Sequence, residues 1–343
     1  MEYLLSPTIF LEKSPEGVLI DVRTPSEFTL GHIPSAVNLP LFTDYERAEV
    51  GTLYVKAGKQ EAIEKGLEIV GPKLASFVKN ARELSAGKAL FLYCWRGGMR
   101  STSMAWLFRT AGFETYLLEG GYKAYRHALQ HLLEANPWKF IVLGGPTGCG
   151  KTAILHHLQS IGQQVIDLEG LAHHKGSAFG SLGEREQPTT EQFGNELHNC
   201  MRKKNPTEPI WCEGESLNIG QVYIPNEFYS YMKSGLFIHF ELEKKFRLKR
   251  ILEDYGHFTS EALIACFQKI QKRLGGEATT QAIAHINKNE LEEAIAIAIR
   301  YYDKGYKSSI FKQWTVTHSL IGTTNEPQIN AHKLIEFYNK IIM

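Results

Sequence analysis

The sequence lacks paired cysteines. Cys94, Cys149, Cys200, Cys212 and Cys266 are scattered through 343 residues without any short repeated spacing. That pattern argues against a disulfide framework and supplies no zinc-ligand set. It fits a reducing, cytoplasmic compartment. Long apolar runs are missing too. No stretch approaches the roughly 18 consecutive apolar residues of a membrane span. "MEYLLSPTIF" carries an acid at position 2 and no long apolar core, so it does not read as a secretory signal. An excess of one charge is also absent. The formal net charge is +1, and the stretches before and after Asn136 hold 15 basic against 15 acidic residues and 23 against 22. A polyanionic partner would therefore have to be met by local basic patches. No short-period repeat or low-complexity tract stands out.

What is present is an ordinary globular mixture, 43% hydrophobic and 22% charged, long enough for about two domains. "GVLIDVR" (17–23) and "KALFLYC" (88–94) read as buried strands. "STSMAWLFRTAGF" reads as a helix with Ser101 near its N-cap and Gly112 near its end. "TYLLEGGYKAY" reads as a further strand closing in a glycine turn. Strands alternating with helical patterns predict a small α/β domain over 1–128, followed by a linker at 129–138. A second α/β domain is predicted over 139–343, with strands in "KFIVLGG", "QQVIDLEG", "PIWCEGES" and "LFIHFEL". Its pattern turns mostly helical over about 244–303. "QWTVTHSL" (313–320) reads as a last strand and "NAHKLIEFYNKII" as the final helix.

Two stretches carry chemistry. The first is "FLYCWRGGMRS" (91–101). A strand ending in cysteine, a short loop and a helix N-terminus make an anion cradle, because loop amides and the helix dipole converge on one point. Gly97 and Gly98 let the backbone bend inward, and Arg96 and Arg100 add positive charge. These features favour thiolate over thiol and predict a nucleophile at Cys94. Such a cradle serves either to carry sulfur or selenium or to attack a phosphate ester. The spacing from Cys94 to Arg100 is C-x5-R, which keeps both chemistries open.

The second is "GGPTGCGKT" (144–152). Gly145, Gly150, Lys151 and Thr152 satisfy G-x4-G-K-[ST] between an apolar strand and a helix, the context that makes this motif specific. Backbone amides around Thr147 and Gly148 are expected to cradle a diphosphate or larger anion, Lys151 to neutralise it and Thr152 to reach Mg²⁺. Cys149 reads as a small filler. Acids that would complete the site stand at strand ends: Asp167 and Glu169 in "VIDLEG", Glu213 and Glu215 in "WCEGES". His173 and His174 are adjacent in sequence, which suits substrate contact or plain loop placement better than a shared metal. Basic clusters at Arg202, Lys203 and Lys204, and at Lys245, Lys249 and Arg250, read either as solvated faces or as phosphate contacts to a nucleic acid.

Residues 1 to about 128 resemble the rhodanese domain: "DVRTPSEFTLGHIPSAVNLP", the cysteine loop and "LEGGY" follow its order, and Asp21, Arg23, Glu27, Gly31, His32 and Pro34 fall on its pattern. Common rhodanese loops are one residue shorter. Asp21, Glu27 and His32 are expected to brace turns rather than react. The two motifs together, with "DLEGLAHHKGSAFG", "EGES" and "YYDKGY", resemble the bacterial tRNA 2-selenouridine synthases over almost the whole chain. The resemblance implies a rhodanese-like parallel-sheet domain followed by a P-loop α/β domain with a helical insertion. It further implies a two-step reaction on wobble 2-thiouridine. A geranyl group from geranyl diphosphate is attached to sulfur, and selenium from selenophosphate, held on Cys94 as a perselenide, then displaces the alkylated sulfur. No tightly bound cofactor is expected. The tRNA anticodon region is the implied partner, together with the enzyme that supplies selenophosphate. Three other classes fit the motifs alone: a P-loop kinase or NTPase with a regulatory rhodanese-like module, a C-x5-R phosphatase, and a non-catalytic RNA-binding scaffold.

Overall fold

The computed structural model describes residues 3–314 and 318–342. The chain forms two compact units, Met1–Ala135 and Asn136–Met343. Among the described residues no helix is long and apolar enough to cross a membrane.

The first unit is a five-stranded parallel sheet. Its strands are β1 (Leu4–Leu5), β2 (Val18–Asp21), β3 (Val37–Asn38), β4 (Leu90–Tyr93) and β5 (Thr115–Leu118), in the order β1-β5-β4-β2-β3. Every residue of β4 is buried, as a central parallel strand covered on both faces requires. Around the sheet lie α1 (Pro7–Lys13), α2 (Pro25–Leu30), α3 (Asp44–Lys56), α4 (Lys59–Val70), α5 (Leu74–Ser85), α6 (Met99–Thr110) and α7 (Gly121–Glu134). Ile20, Leu92, Met104 and Phe108 belong to the core on one side, and Phe10, Phe91, Tyr93 and Tyr122 to the core on the other. The segment read as a linker is helical as far as Glu134. Tyr122, Tyr125 and Leu133 share one buried helical face and carry the helix past 128.

The second unit is also built on five parallel strands: β6 (Phe140–Gly144), β7 (Gln164–Ile166), β8 (Ile210–Glu213), β11 (Leu236–Leu242) and β12 (His318–Gly322), in the order β12-β11-β6-β8-β7. A short antiparallel ribbon, β9 (Asn218–Ile219) with β10 (Val222–Tyr223), stands apart from it. The helices α8 (Lys151–Ser160), α9 (Leu168–Ala172), α10 (Thr190–Met201) and α11 (Asn226–Ser234) connect the first strands. Between β11 and β12 the chain inserts α12 (Lys244–Tyr255), α13 (Ser260–Leu274), α14 (Gly276–Asn287) and α15 (Leu291–Gln313), which enclose a separate apolar core around Phe267 and Ile299. The insertion extends past 303 because Gly305 lies inside α15 without ending it. The last helix is α16 (Pro327–Ile342). Of the segment 313–320 read as a strand, residues 315–317 lie outside the described residues, and β12 begins at His318.

Candidate active sites

Each unit presents one strand–turn–helix cradle. In the first, β4 delivers Cys94, only 3% exposed, to the foot of α6. The helix is capped by the extended backbone of Gly98, not by Ser101. Ser101 lies inside the first turn, where its hydroxyl donates to Cys94 Sγ at 3.2 Å and to Gly98 O at 3.2 Å. The helix already begins at Met99, two residues before Ser101, so Ser101 is an interior residue of the first turn.

The turn after β5 closes the loop from behind. Tyr122 N donates to Cys94 O at 2.8 Å and Lys123 N to Trp95 O at 3.0 Å. Gly121 has φ +63°, and a Cβ there would stand 2.4 Å from both Cys94 O and Gly97 N. The "GGY" turn is therefore a structural part of the cysteine loop, and only glycine fits it.

Arg100 forms a two-pronged pair with Glu27, at 2.6 and 3.2 Å. Burial pushes the Glu27 carboxyl up, but Arg100 more than offsets this and holds it below the ordinary carboxylate range. Glu27 also closes a capping box with Thr24 on α2. Arg23 and Asp21 form a buried ion pair, with Arg23 donating to Gly31 O at 2.6 Å and stacking 3.9 Å from the Tyr122 ring centre. His32 stacks on Phe28, and its Nδ1 lies 2.9 Å from Phe28 O. Arg96 is exposed and makes no ion pair among the described residues. It lines, with Cys94, Gly98 and Arg100, a cleft of about 570 Å³ whose other walls are α3 and α4.

In the second unit β6 ends at Gly144, the loop runs through Gly145, Gly148 and Gly150 at φ +156°, +82° and +81°, and α8 opens at Lys151. Lys151 Nζ donates to Gly145 O at 3.3 Å. Burial pulls its ammonium down, but Cys149, Glu169 and Glu215 together hold it well above the ordinary lysine value. Cys149 is packed in the sheet core, and burial pushes its thiol up. Thr152 donates to Glu169 Oε2 at 2.7 Å. Glu213 is fully buried, accepts from Leu168 N at 2.9 Å, and is pushed well above the carboxylate range by burial and by Glu169. Burial and Glu169 also raise Glu215, against the pull of Lys151, up to about 7. Gly176 lies against both carboxylates, since a Cβ there would meet Glu215 at 3.0 Å and Glu169 at 3.2 Å. Lys151, Thr152, Glu169 and Glu215 therefore form one group.

Asp167 and His173 have their side-chain partners outside this group. Asp167 caps α9 through Gly170 N at 2.7 Å and pairs with His156 at 2.7 Å. His173 adopts φ +50° and turns its Nδ1 to Glu186 O, 2.7 Å away. His174 is half-buried, and burial lowers its affinity for a proton.

The helical insertion buttresses the loop. Arg247 donates to Thr147 O at 2.8 Å and pairs with Asp303 at 2.5 Å. The Arg250 guanidinium packs against Gly150 and donates to Asn325 O at 2.6 Å and Oδ1 at 2.8 Å. Arg250 is therefore a wall of the phosphate loop rather than a member of an outer basic face. Tyr306 lies 3.0 Å from His239 Nδ1, and His239 Nε2 lies 2.8 Å from Glu241. Burial pushes the Tyr306 hydroxyl up, while Lys151 and the Gly145 backbone pull it down. None of Arg247, Asp303, His239 or Tyr306 was singled out as a functional residue in the sequence; the "YYDKGY" motif was the one signal that pointed to Asp303 and Tyr306. The remaining basic candidates stay at the surface. Lys245 and Lys249 are 68% and 70% exposed on α12, paired with Glu243 and Glu253. Arg202, Lys203 and Lys204 follow the end of α10, with Lys203 exposed and the other two half-buried.

Comparison with known families agrees with this division. Residues 6–128 match the rhodanese-like domain, and residues 138–326 match the tRNA 2-selenouridine synthase AAA domain. Proteins named tRNA 2-selenouridine synthase are similar along most of the chain. The one from Shewanella denitrificans is 35% identical over 87% of this chain and 89% of its own. That from Nitrosomonas europaea is 32% identical over 96% and 88%. A third, from Shewanella frigidimarina, is 39% identical over 72% and 67%. The chain belongs to the tRNA 2-selenouridine synthase family.

Proposed function

We propose that the chain replaces the sulfur of wobble 2-thiouridine in tRNA by selenium, in two steps at two sites. The observation that carries this reading is the presence of two anion cradles of different chemistry. One holds a nucleophile, Cys94, with a hydroxyl donor on its sulfur. The other holds a cation, Lys151, while its own cysteine is packed away in the core.

At the phosphate loop the sulfur of 2-thiouridine attacks C1 of geranyl diphosphate. A C–S bond forms, the C–O bond breaks, diphosphate leaves with the electron pair, and the base loses its N3 proton. Lys151 and the loop amides stabilise the departing charge. A small apolar cavity of about 40 Å³, lined by residues such as Thr147, Ile251, Tyr255 and Phe267, adjoins the loop. Thr152 and Glu169 would hold Mg²⁺ there. Among the described residues no three His, Cys, Asp or Glu side chains converge as a metal site, so the ion would draw its remaining ligands from phosphate oxygens and water. When bound, it would supply further positive charge to the diphosphate.

At the cysteine loop a C2–Se bond replaces the C2–S bond. Geranylthiolate leaves with the electron pair of the C2–S bond and takes up a proton, and the phosphate of selenophosphate is released by water. Cys94 holds the selenium in between as a perselenide. Forming its S–Se bond passes two electrons to a small-molecule disulfide, which is reduced to thiols, and cleaving the bond after transfer to C2 takes two electrons back from those thiols. Mass spectrometry of 2-thiouridine tRNA incubated with the protein, geranyl diphosphate, selenophosphate and a small-molecule thiol–disulfide buffer tests the reading. S-geranyl and 2-selenouridine products are expected. Turnover of ATP or GTP without tRNA, or phosphate release from aryl phosphates, with neither product formed, would overturn it.

A further inference from the structure

The cleft over Cys94 is larger than a selenophosphate site needs. Its volume of about 570 Å³ falls within the range typical of small-molecule pockets. Two helices that bury almost nothing wall it. No residue of α3 is fully buried, and α4 buries only Ala62. Around the opening Tyr54, Val55, Leu67, Trp95 and Met99 are 59%, 83%, 66%, 38% and 55% exposed. Apolar side chains left in water around one concavity mark a binding surface. The charged residues of the lining are Arg47, Lys59, Arg96 and Arg100, with no acid among them; Arg100 is paired with Glu27, which leaves Arg47, Lys59 and Arg96 to make the rim cationic. Apolar walls, a cationic rim and a cysteine in the floor suit an apolar chain carried by a polyanion.

We propose that this cleft receives the terpenyl chain of the S-alkylated base, so that the first unit recognises the intermediate by its chain and brings the neighbouring C2 to Cys94. The proposal rests on the two-step reading above and adds a binding site to it. Gly66, on the wall contributed by α4, keeps the cleft open. A Cβ there would meet Phe42 at 3.5 Å, an ordinary contact. Gly66→Leu therefore narrows the cleft without straining the backbone, and leucine is a better helix former than glycine. The paired change Val55→Ser with Leu67→Ser strips apolar surface from side chains already in water.

The test uses the full chain, selenophosphate, and short anticodon-stem RNAs carrying either S-geranyl- or S-methyl-2-thiouridine, with kcat/KM for 2-selenouridine formation read by chromatography. The unaltered protein should prefer the geranyl RNA at least tenfold. Both variants should lose most of that preference through a fall in the geranyl rate, with the methyl rate held within about twofold and thermal melting unchanged. A preference that survives in both variants overturns the subsite and leaves the two-step reading standing. Failure of the unaltered protein to convert geranyl RNA at all, in a preparation that converts 2-thiouridine RNA directly, overturns the two-step reading and the subsite with it.

Discussion

The Ser101 hydroxyl stands 3.2 Å from Cys94 Sγ and donates to it. The hydroxyl fixes the sulfur against the first turn of the helix, and a hydrogen bond of this kind is worth roughly 0.5–1.5 kcal/mol. Ser101→Ala should lower the alkylation rate of Cys94 by iodoacetamide at neutral pH severalfold, with selenation falling in parallel and geranylation unaffected. A rate unchanged from the unaltered protein would mean that the hydroxyl only braces the turn through Gly98.

Cys94 and Lys151 lie in different units, so their substitutions should separate the two steps. With Cys94→Ser, S-geranyl tRNA should accumulate while no 2-selenouridine forms. Analysis of nucleosides from the digested tRNA reads both products in one run, and normal 2-selenouridine would remove the cysteine from the pathway.

For Lys151→Ala the loss should fall on the other step. The ammonium is held charged by Glu169 and Glu215, and removing a charge-assisted bond to diphosphate costs about 1.5–3 kcal/mol. Geranyl transfer should drop about ten- to a hundredfold, whereas selenation of tRNA alkylated beforehand should change much less. Equal loss in both assays would assign Lys151 to folding or to tRNA binding.

These assignments differ in how far the sequence alone could reach them. The phosphate loop was legible because its residues are contiguous and the strand and helix around it carry strong patterns. β4 was legible because a strand covered on both faces is apolar at every position. The supports were hidden because they come from distant segments. Gly121 completes the cysteine loop from behind another strand, and Arg247 reaches Thr147 across 100 positions. Arg250 looked like a neighbour of Lys249 on a solvated face, yet it turns inward to Gly150. Periodicity gives the face of a helix but not what packs on it. Ser101 looked like a cap because serine usually is one at a helix start, but the helix begins earlier, at Met99, with Gly98 in the cap position. The open cleft was invisible for the same reason: "DYERAEVGTLYVK" reads as a helix whether or not its apolar residues find a partner.

The acids beside Lys151 give the fold a pH dependence. Burial and Glu169 raise the Glu215 carboxyl from its ordinary 4.5 to about 7. The folded protein thus keeps a proton that the unfolded chain releases. The stability this contributes is fully present below about pH 4.5 and is lost as pH rises through about 7. Glu215→Gln removes the charge that would otherwise form. Relative to the unaltered protein, it should gain on the order of 1–2 kcal/mol of unfolding free energy between pH 5 and pH 8. Urea titrations of both proteins at the two pH values check this, and parallel pH dependence would show that Glu215 is too well solvated to matter.

The last prediction concerns the docking of a polyanion on a chain with a net charge of only +1. Lys245 and Lys249 stand one turn apart on α12, both largely exposed. Their pairs with Glu243 and Glu253, at 2.7 and 4.0 Å, are surface pairs, worth at most about 1 kcal/mol, so both amines remain available to phosphates. Arg247 and Arg250 of the same helix are committed to the phosphate loop, which leaves Lys245 and Lys249, together with Lys244, as the exposed basic residues of α12. Reversing Lys245 and Lys249 to Glu should weaken tRNA binding and flatten its dependence on salt, because fewer counterions are released on binding. Stability should change by no more than about 0.5 kcal/mol per site. Titrations of tRNA at two salt concentrations decide the matter. An unchanged slope would leave α12 as plain solvated surface and move the contact toward Arg202, Lys203 and Lys204, where the same charge reversal can be applied.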